Sequence, residues 1–289
     1  MTPDILCIGS VLWDIIGRSP AHMSKGSDVG GRITRLPGGV ALNIAMAAKA
    51  YGMTPALLSV VGRDPEGEEL VAALGRMGLV TDTLYRSDDL PTDVYMAVEG
   101  GNGLIAAIAD AHSLEAVGDK ILRPLDDTLR DWSGPIALDG NLTADLLARI
   151  AADPRFAAAD LRLAPASPGK ADRLLPFLTH GSATLYVNLE EAGLLLHAPQ
   201  SDAAVAAVAL RRRGLYRALV TDGPRLAACA DATGVHAERP PEVMVTRVTG
   251  AGDTFMAAHI AAERAGADAR AALHRAVEAA ATYVSGDTY

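Results

Sequence analysis

Near the C-terminus, Val248-Thr249-Gly250-Ala251-Gly252-Asp253-Thr254-Phe255 sets two glycines around an alanine and an acid directly behind them, ahead of an Ala-rich run. Glycine lets the backbone turn sharply and aim successive N–H groups at one point. A helix starting there adds about half a positive charge from its aligned peptide dipoles. The stretch is thus a seat for an anion. An aspartate at such a seat opposes the anion's charge, unless it serves as a base that takes the proton from a hydroxyl attacking phosphorus. The alternative is a plain helix start in which Asp253 caps backbone N–H groups. The short stretch alone leaves both open.

Other polar residues stand at the ends of apolar runs. Ile5-Leu6-Cys7-Ile8-Gly9 reads as a buried strand ending on glycine, and Asp14 lies shortly beyond it. Asp14 either faces a ligand at the strand's carboxyl end or closes on its own loop backbone. Leu36-Pro37-Gly38-Gly39 runs into a helix that ends at Tyr51-Gly52. Gly39 allows close approach of the backbone to a ligand, and Asn43, in the first turns, both donates and accepts hydrogen bonds. Such an amide suits a polyhydroxylated ligand, or is simply an exposed helical side chain. Asp139 and Asn141, Asn188, and Thr221-Asp222-Gly223 follow further apolar runs. In open α/β sheets, ligand sites collect along that edge.

The elements that must position these residues alternate. Strands are expected at residues 5–9, 57–62, 135–139, 161–165, 184–188, 217–221, 226–230 and 243–248, with helices between most of them. The pattern predicts an α/β fold, a mainly parallel sheet with helices on both faces. Asp64-Pro65 reads as a cap and first helical residue, so Asp64 is structural. The Arg211-Arg212-Arg213 run complements a helix C-terminus. Residues 17–37 are polar and Gly-rich, an exposed excursion. Residues 92–99 alternate, Gly100-Gly101-Asn102-Gly103 makes a turn, and residues 104–109 return. That hairpin predicts a small β-lid, with segments near residues 17–37 and 90–110. His112, at its end, reads as a surface histidine. Residues 1–289 are expected to form one domain.

Composition narrows the function. Hydrophobic residues make up 49% and charged residues 21%, enough for a packed core, and the net charge is −9. Such an acidic balance argues against nucleic-acid or anionic-membrane partners. Cys7 and Cys229 are far apart and fit no metal or disulfide framework, and the histidines lack ligand spacing. No apolar run reaches the roughly 18 residues of a membrane span, and the N-terminus carries no charged-then-apolar leader. A soluble, cytoplasmic protein is expected. The first strand's turn lacks Gly-x-Gly-x-x-Gly, which excludes a dinucleotide-dependent oxidoreductase of the usual kind.

Taken together, Gly38-Gly39 with Asn43, Asn188-x-x-Glu191, Thr221-x-Gly223 and Gly250-Ala251-Gly252-Asp253 resemble the ribokinase-like (PfkB) family of carbohydrate and nucleoside kinases over nearly the whole chain. The resemblance implies a ribokinase-like central sheet with flanking helices and a small β-lid, using ATP and Mg²⁺. It implies that Asp253 is the base and that the N–H groups of Gly250, Ala251 and Gly252 form the anion hole. Asn188 and Glu191 would hold Mg²⁺ and phosphates, largely through water. Thr221, Gly223 and Thr249 would lie beside the nucleotide. Asp14, Gly39 and Asn43 would grip the acceptor, and the lid would close over it.

The chain departs from the common pattern at Arg247-Val248, where sugar kinases of the family carry an Asp-Thr pair in a loop tied to monovalent-cation activation. A monovalent cation is therefore doubtful. The form around the glycine turn is similar to the pseudouridine kinase branch. So are Ala107-Ile108-Ala109-Asp110, Asp139-Gly140-Asn141-Leu142, and Ser167 with Lys170. That similarity adds Asp139 and Asn141 to the acceptor side and implies a nucleoside, pseudouridine first, phosphorylated at its 5′ hydroxyl. Val11, Trp13 or Tyr95 are candidates to line a slot for its base. A free sugar or sugar phosphate is the rival acceptor, and a catalytically silent nucleotide-binding regulator the rival class. An exposed lid edge predicts a homodimer through the lid.

Overall fold

The computed structural model describes residues 2–286. β1 (Ile5–Ile8) leads into β2 (Leu12–Arg18) and β3 (Arg32–Gly38), followed by α1 (Val40–Ala50) and β4 (Pro55–Leu58). Next come β5 (Val60–Gly62), α2 (Pro65–Arg76), β6 (Tyr85–Ser87), β7 (Val94–Gly100), β8 (Gly103–Asp110) and α3 (His112–Val117). β9 (Ile136–Asp139), α4 (Ala144–Ala152), β10 (Leu161–Ala164), β11 (Ala183–Asn188), α5 (Leu189–Leu196) and α6 (Ala203–Arg211) continue the alternation. β12 (Arg217–Thr221), β13 (Ala227–Asp231), β14 (Gly234–Glu238), α7 (Ala251–Arg264) and α8 (Ala269–Ser285) complete it.

The main sheet has eight strands in the order β14-β13-β12-β11-β10-β9-β1-β4. Its members from β4 to β12 are parallel, and β13 and β14 return antiparallel. Successive strand residues point to opposite faces. Leu6 and Ile8 therefore pack with Leu138, Leu163 and Leu185 on one side. Ile5 and Cys7 pack with Leu42 of α1 and Phe255 of α7 on the other. Both faces are covered, which is why these strands read as unbroken apolar runs. Among the described residues no helix is long and apolar enough to cross a membrane.

The lid is a separate four-stranded sheet, β3-β2-β7-β8. Here the structure differs from expectation. Asp14 lies within β2 rather than in a loop, and residues 17–18 and 32–37 pair as strands at the two ends of the expected excursion, leaving residues 19–31 as a mostly exposed connection between them. Register sets Asp14 beside Tyr95, and Ile15 beside Met96, which in turn pairs with Ile108. Asp14 and Tyr95 thus share one face of the lid, and Ile15, Met96 and Ile108 the other. Trp13, next to Asp14 along β2, points to the opposite face and is buried. Its indole N–H donates to the Glu66 carbonyl at 2.9 Å, and the Arg35 guanidinium lies 4.1 Å over its ring.

Two strand boundaries also move. The run 57–62 divides at Ser59, so that β4 stays in the main sheet while β5 pairs with β6. Residues 243–248 form no strand. Pro240 and Pro241 offer no N–H to a ladder, and β14 already occupies the edge beside β13. Asp64 caps α2 as expected, accepting from Gly67 N at 2.8 Å and from Thr92 N at 2.6 Å.

Candidate active site

The parallel strands carry their carboxyl ends to one edge, and two helices, α1 and α7, start there and pack against each other. Both begin on a glycine in the left-handed region, Gly39 with φ 101° and Gly250 with φ 91°. A Cβ on Gly39 would lie 2.5 Å from the Ser10 carbonyl oxygen, so the approach itself demands glycine.

The two starts are filled differently. At α1, Val40 N donates to Ser10 Oγ at 2.8 Å, Ala41 N to Asp139 Oδ2 at 3.2 Å and Leu42 N to the Ser10 carbonyl at 3.3 Å. Asp139 is fully buried and also accepts from Ser10 N at 2.8 Å and Asn141 N at 2.7 Å. Its carboxyl group knits β1, β9 and α1 together, and its full burial leaves no exposed face for an acceptor. That corrects its expected place on the acceptor side. Ser10, which the sequence reading passed over, is the hub. Its position just past a strand's glycine was the available signal.

At α7 no side chain caps the start. Ala251 N donates to the Val248 carbonyl at 3.0 Å, which removes it from the expected anion hole. Thr254 N bonds the Gly250 carbonyl at 2.9 Å. The first-turn N–H groups of Gly252 and Asp253 lie between them, without helical partners. Gly252 is exposed, and a Cβ there would meet nothing within 4 Å. A phosphate-bearing ligand fits this open, donor-lined start.

Asp253 sits in that first turn, largely enclosed. Its pKa is raised from 3.8 to about 7: burial is the largest cause, a hydrogen bond from the Asn43 side chain works against it, and the charges of Asp139 and Glu191 add to the rise. Asn43, expected on the acceptor, is thus brought onto the candidate base. Glu191 is buried and forms a capping box with Asn188, Asn188 N donating to Glu191 Oε2 and Glu191 N to Asn188 Oδ1, each at 2.9 Å. Among the described residues no group of three or more His, Cys, Asp or Glu side chains is placed to hold a metal ion. A Mg²⁺ ion here would rest on phosphate oxygens and water, with Asn188 and Glu191 at its margin.

Around this centre the edge is polar. Asp14, on the lid, is pushed up to about 6 by burial. Tyr95 beside it is raised by burial and by the Asp14 charge. Asn141 donates to Ser10 Oγ at 3.1 Å and accepts from the Lys170 ammonium. Lys170 is half-buried, and burial lowers its pKa. Thr221 ends β12, and Gly223 is exposed with φ 55°. Thr249 contributes its carbonyl to an internal bond with the Tyr283 hydroxyl at 2.8 Å, a contact with no sequence signal. His112 is 87% exposed and pairs with Asp110 at 2.6 Å, outside the site.

A family profile described as pfkB family carbohydrate kinase matches residues 2–287. Among curated proteins, an uncharacterized sugar kinase YeiI of Escherichia coli is 32% identical over 141 residues, 48% of this chain and 39% of that protein. A pseudouridine kinase of Arabidopsis thaliana is 29% identical over 100 residues, 35% of this chain and 26% of that protein. The matches thus span well under half of those relatives' lengths. Among solved structures, a carbohydrate kinase from Agrobacterium tumefaciens superposes with TM-score 0.81 at 27% identity, covering 97% of this chain and 90% of that one. Arabidopsis thaliana ribokinase, solved with ribose and ATP, superposes with TM-score 0.83 at 21% identity, covering 98% and 93%. The fold is ribokinase-like, and the chain belongs to the PfkB family of carbohydrate kinases.

Proposed function

We propose that the chain transfers the terminal phosphoryl group of ATP to the 5′ hydroxyl of a nucleoside, with pseudouridine first among acceptors. The observation that carries this reading is Asp253, a carboxyl poised at about 7 beside unclaimed N–H groups of a helix start. A base with that pKa is half ionised near neutrality and matched to proton transfer. The acceptor oxygen attacks the terminal phosphorus, the bond to the bridging oxygen breaks, ADP leaves, and Asp253 takes the hydroxyl proton. The N–H groups of Gly252 and Asp253 meet the charge on the phosphoryl oxygens. Mg-ATP, when bound, supplies the phosphoryl group and neutralises part of its charge, with Asn188 and Glu191 at the metal's margin. Thr221, Gly223 and Thr249 flank the nucleotide, and exposed Val245 and Val248 offer its base an apolar wall.

Asn43 orients Asp253, while Asp14 and the Gly39 backbone face the acceptor's hydroxyls. Lys170, tied to Asn141, supplies a donor for a carbonyl on the base, and Tyr95 a flat neighbour; together with the partial likeness to a pseudouridine kinase, these favour a nucleoside. A free sugar is the second reading, favoured by the longer match to a sugar kinase. Closure of the lid would exclude water and limit ATP hydrolysis. The lid's other face sets Ile15, Met96 and Ile108 in register with Arg35, with Ile33, 76% exposed, on the same face opposite Gly17, and these apolar side chains favour a homodimer through the lid.

The test is ADP release from Mg-ATP with pseudouridine, uridine, adenosine, inosine, ribose and fructose 6-phosphate. Turnover on pseudouridine above the rest supports the reading. Turnover on a free sugar keeps the mechanism and discards the acceptor. No turnover with ATP bound points to the silent regulator.

A further inference from the structure

The segment that leads into the glycine turn is not held by the sheet. Residues 241–249 are exposed and lie outside any strand. Their anchor is the last turn of α8, whose final carbonyls lack donors within the helix. The Val284 carbonyl accepts from Thr246 N at 2.9 Å, Thr246 Oγ at 3.1 Å and Arg247 N at 3.3 Å. The Tyr283 carbonyl accepts from Arg247 Nε at 2.8 Å. The guanidinium then lies 3.8 Å over the Tyr283 ring, a fixed cation at the negative end of the α8 dipole. The same ring reaches forward to the turn. Its hydroxyl donates to the Thr249 carbonyl at 2.8 Å, and a Cβ on Gly250 would collide with that hydroxyl.

We infer that Arg247 and Tyr283 form a strap that positions the Gly250-Ala251-Gly252-Asp253 turn. The Thr249 carbonyl and the Gly250 backbone fix the peptide planes from which the Gly252 and Asp253 N–H groups project. Holding Thr249 from one side and Arg247 from the other leaves those planes little freedom to rotate. The Tyr283 hydroxyl is spent on Thr249, so the strap works through the turn, and both members are positioning residues. Its kinetic consequence rests on the phosphoryl-transfer reading. Its structural consequence does not.

Tyr283→Phe removes the hydroxyl alone. On whichever acceptor the wild-type protein phosphorylates, its kcat should fall about tenfold, because misplacement of reacting groups costs rate directly. KM for ATP and for the acceptor should stay within about twofold, the mark of an interaction felt in the transition state. Arg247→Ala should lower kcat likewise, and Arg247→Lys should restore part of it. Amide hydrogen exchange at Thr246, Arg247 and Ala251 should quicken in Tyr283→Phe while the melting temperature holds. Unchanged kcat with unchanged exchange overturns the strap. So does a loss in which KM and melting temperature move together with kcat, since that is a stability effect. If the wild-type protein transfers no phosphoryl group, that reading fails separately, and the exchange measurement alone decides for or against the strap.

Discussion

The two ends of α7 hold acids that burial treats alike and neighbours treat oppositely. Asp253 opens the helix. Burial lifts its pKa to about 7, and only the Asn43 amide works against the rise. Glu263 closes the helix. Burial would raise it too, but Arg162 and Arg217 more than cancel this and hold it at about 2. Those arginines come from β10 and β12, on either side of β11, and both bond the Glu263 carboxylate. His259, one turn back, is pushed down to about 3 by burial and stays neutral, its Nδ1 2.9 Å from the Tyr186 hydroxyl. One end is a clamp whose charge is compensated. The other is a carboxyl left without a cation, which is where chemistry is expected.

Asp253→Asn breaks the comparison at its reactive end and should have the largest effect. Turnover should fall by about 10²-fold or more, as for loss of a general base, with ATP affinity nearly intact by calorimetry. Survival of turnover within a few-fold removes Asp253 from the role. The same variant should be the more stable protein at pH 8. The folded pKa lies above the ordinary 3.8, so the native state binds more protons between about 4 and 7, and stability falls as pH rises through that window. Deleting the charge should recover on the order of 2 kcal/mol in urea unfolding at pH 8.

Glu263→Gln breaks the other end. Two buried arginines lose a shared partner, and removing one member of such a cluster costs about 3 kcal/mol. Asp160 and Asp231 still face Arg162 and Arg217 and temper the loss. Turnover per folded molecule should stay within about threefold, since Glu263 lies at the opposite end of α7 from the reactive turn. A folded Glu263→Gln protein without activity would show that the two ends are not independent.

How much of this was legible in the sequence depends on distance along the chain. Gly250, Gly252 and Asp253 fall within four successive positions, so turn and acid announced themselves together. The strands of the main sheet were legible because burial on both faces makes them continuously apolar. Asp139 looked like a ligand-facing acid because it ends a strand. Its bonds reach Ser10 and Ala41, 129 and 98 residues away, and no local pattern shows that. Ala251 was placed in the anion hole because a motif names residues, whereas the path of the turn decides which N–H is already spent. Residues 243–248 have a strand's composition but no vacant edge beside β13. Tyr283 looks like any tyrosine in a tail helix, and only the fold lays it against Gly250.

The Asn43–Asp253 contact sharpens the comparison without destroying either end. Asn43's hydrogen bond favours the ionised carboxyl, so Asn43→Ala should push the Asp253 pKa above about 7. In the wild-type protein kcat/KM should fall about tenfold per pH unit below that midpoint. In Asn43→Ala the acid limb should move to higher pH, with the rate partly recovered in alkaline buffer. An acid limb that stays in place would return Asn43 to the acceptor alone.

The smallest expected effect concerns monovalent cations. The family resemblance makes the loop at Arg247-Val248 the place to look for activation by them, yet here the carbonyls at the end of α8 are already met by protein donors. Val284 accepts from Thr246 and Arg247, Tyr283 accepts from Arg247 Nε, and the guanidinium lies across the Tyr283 ring. A free cation would have to displace a tethered one that the helix dipole and the ring both favour. Exchanging Na⁺ for K⁺ at constant ionic strength should therefore change the rate by less than about twofold. In Arg247→Ala those carbonyls lose their cation, and a K⁺ response should emerge if the loop keeps its shape. Strong K⁺ activation of the wild-type protein would mean that the guanidinium does not do a cation's work there. The contrast between a compensated and an uncompensated end of α7 would then have to include a third charge, supplied from solution.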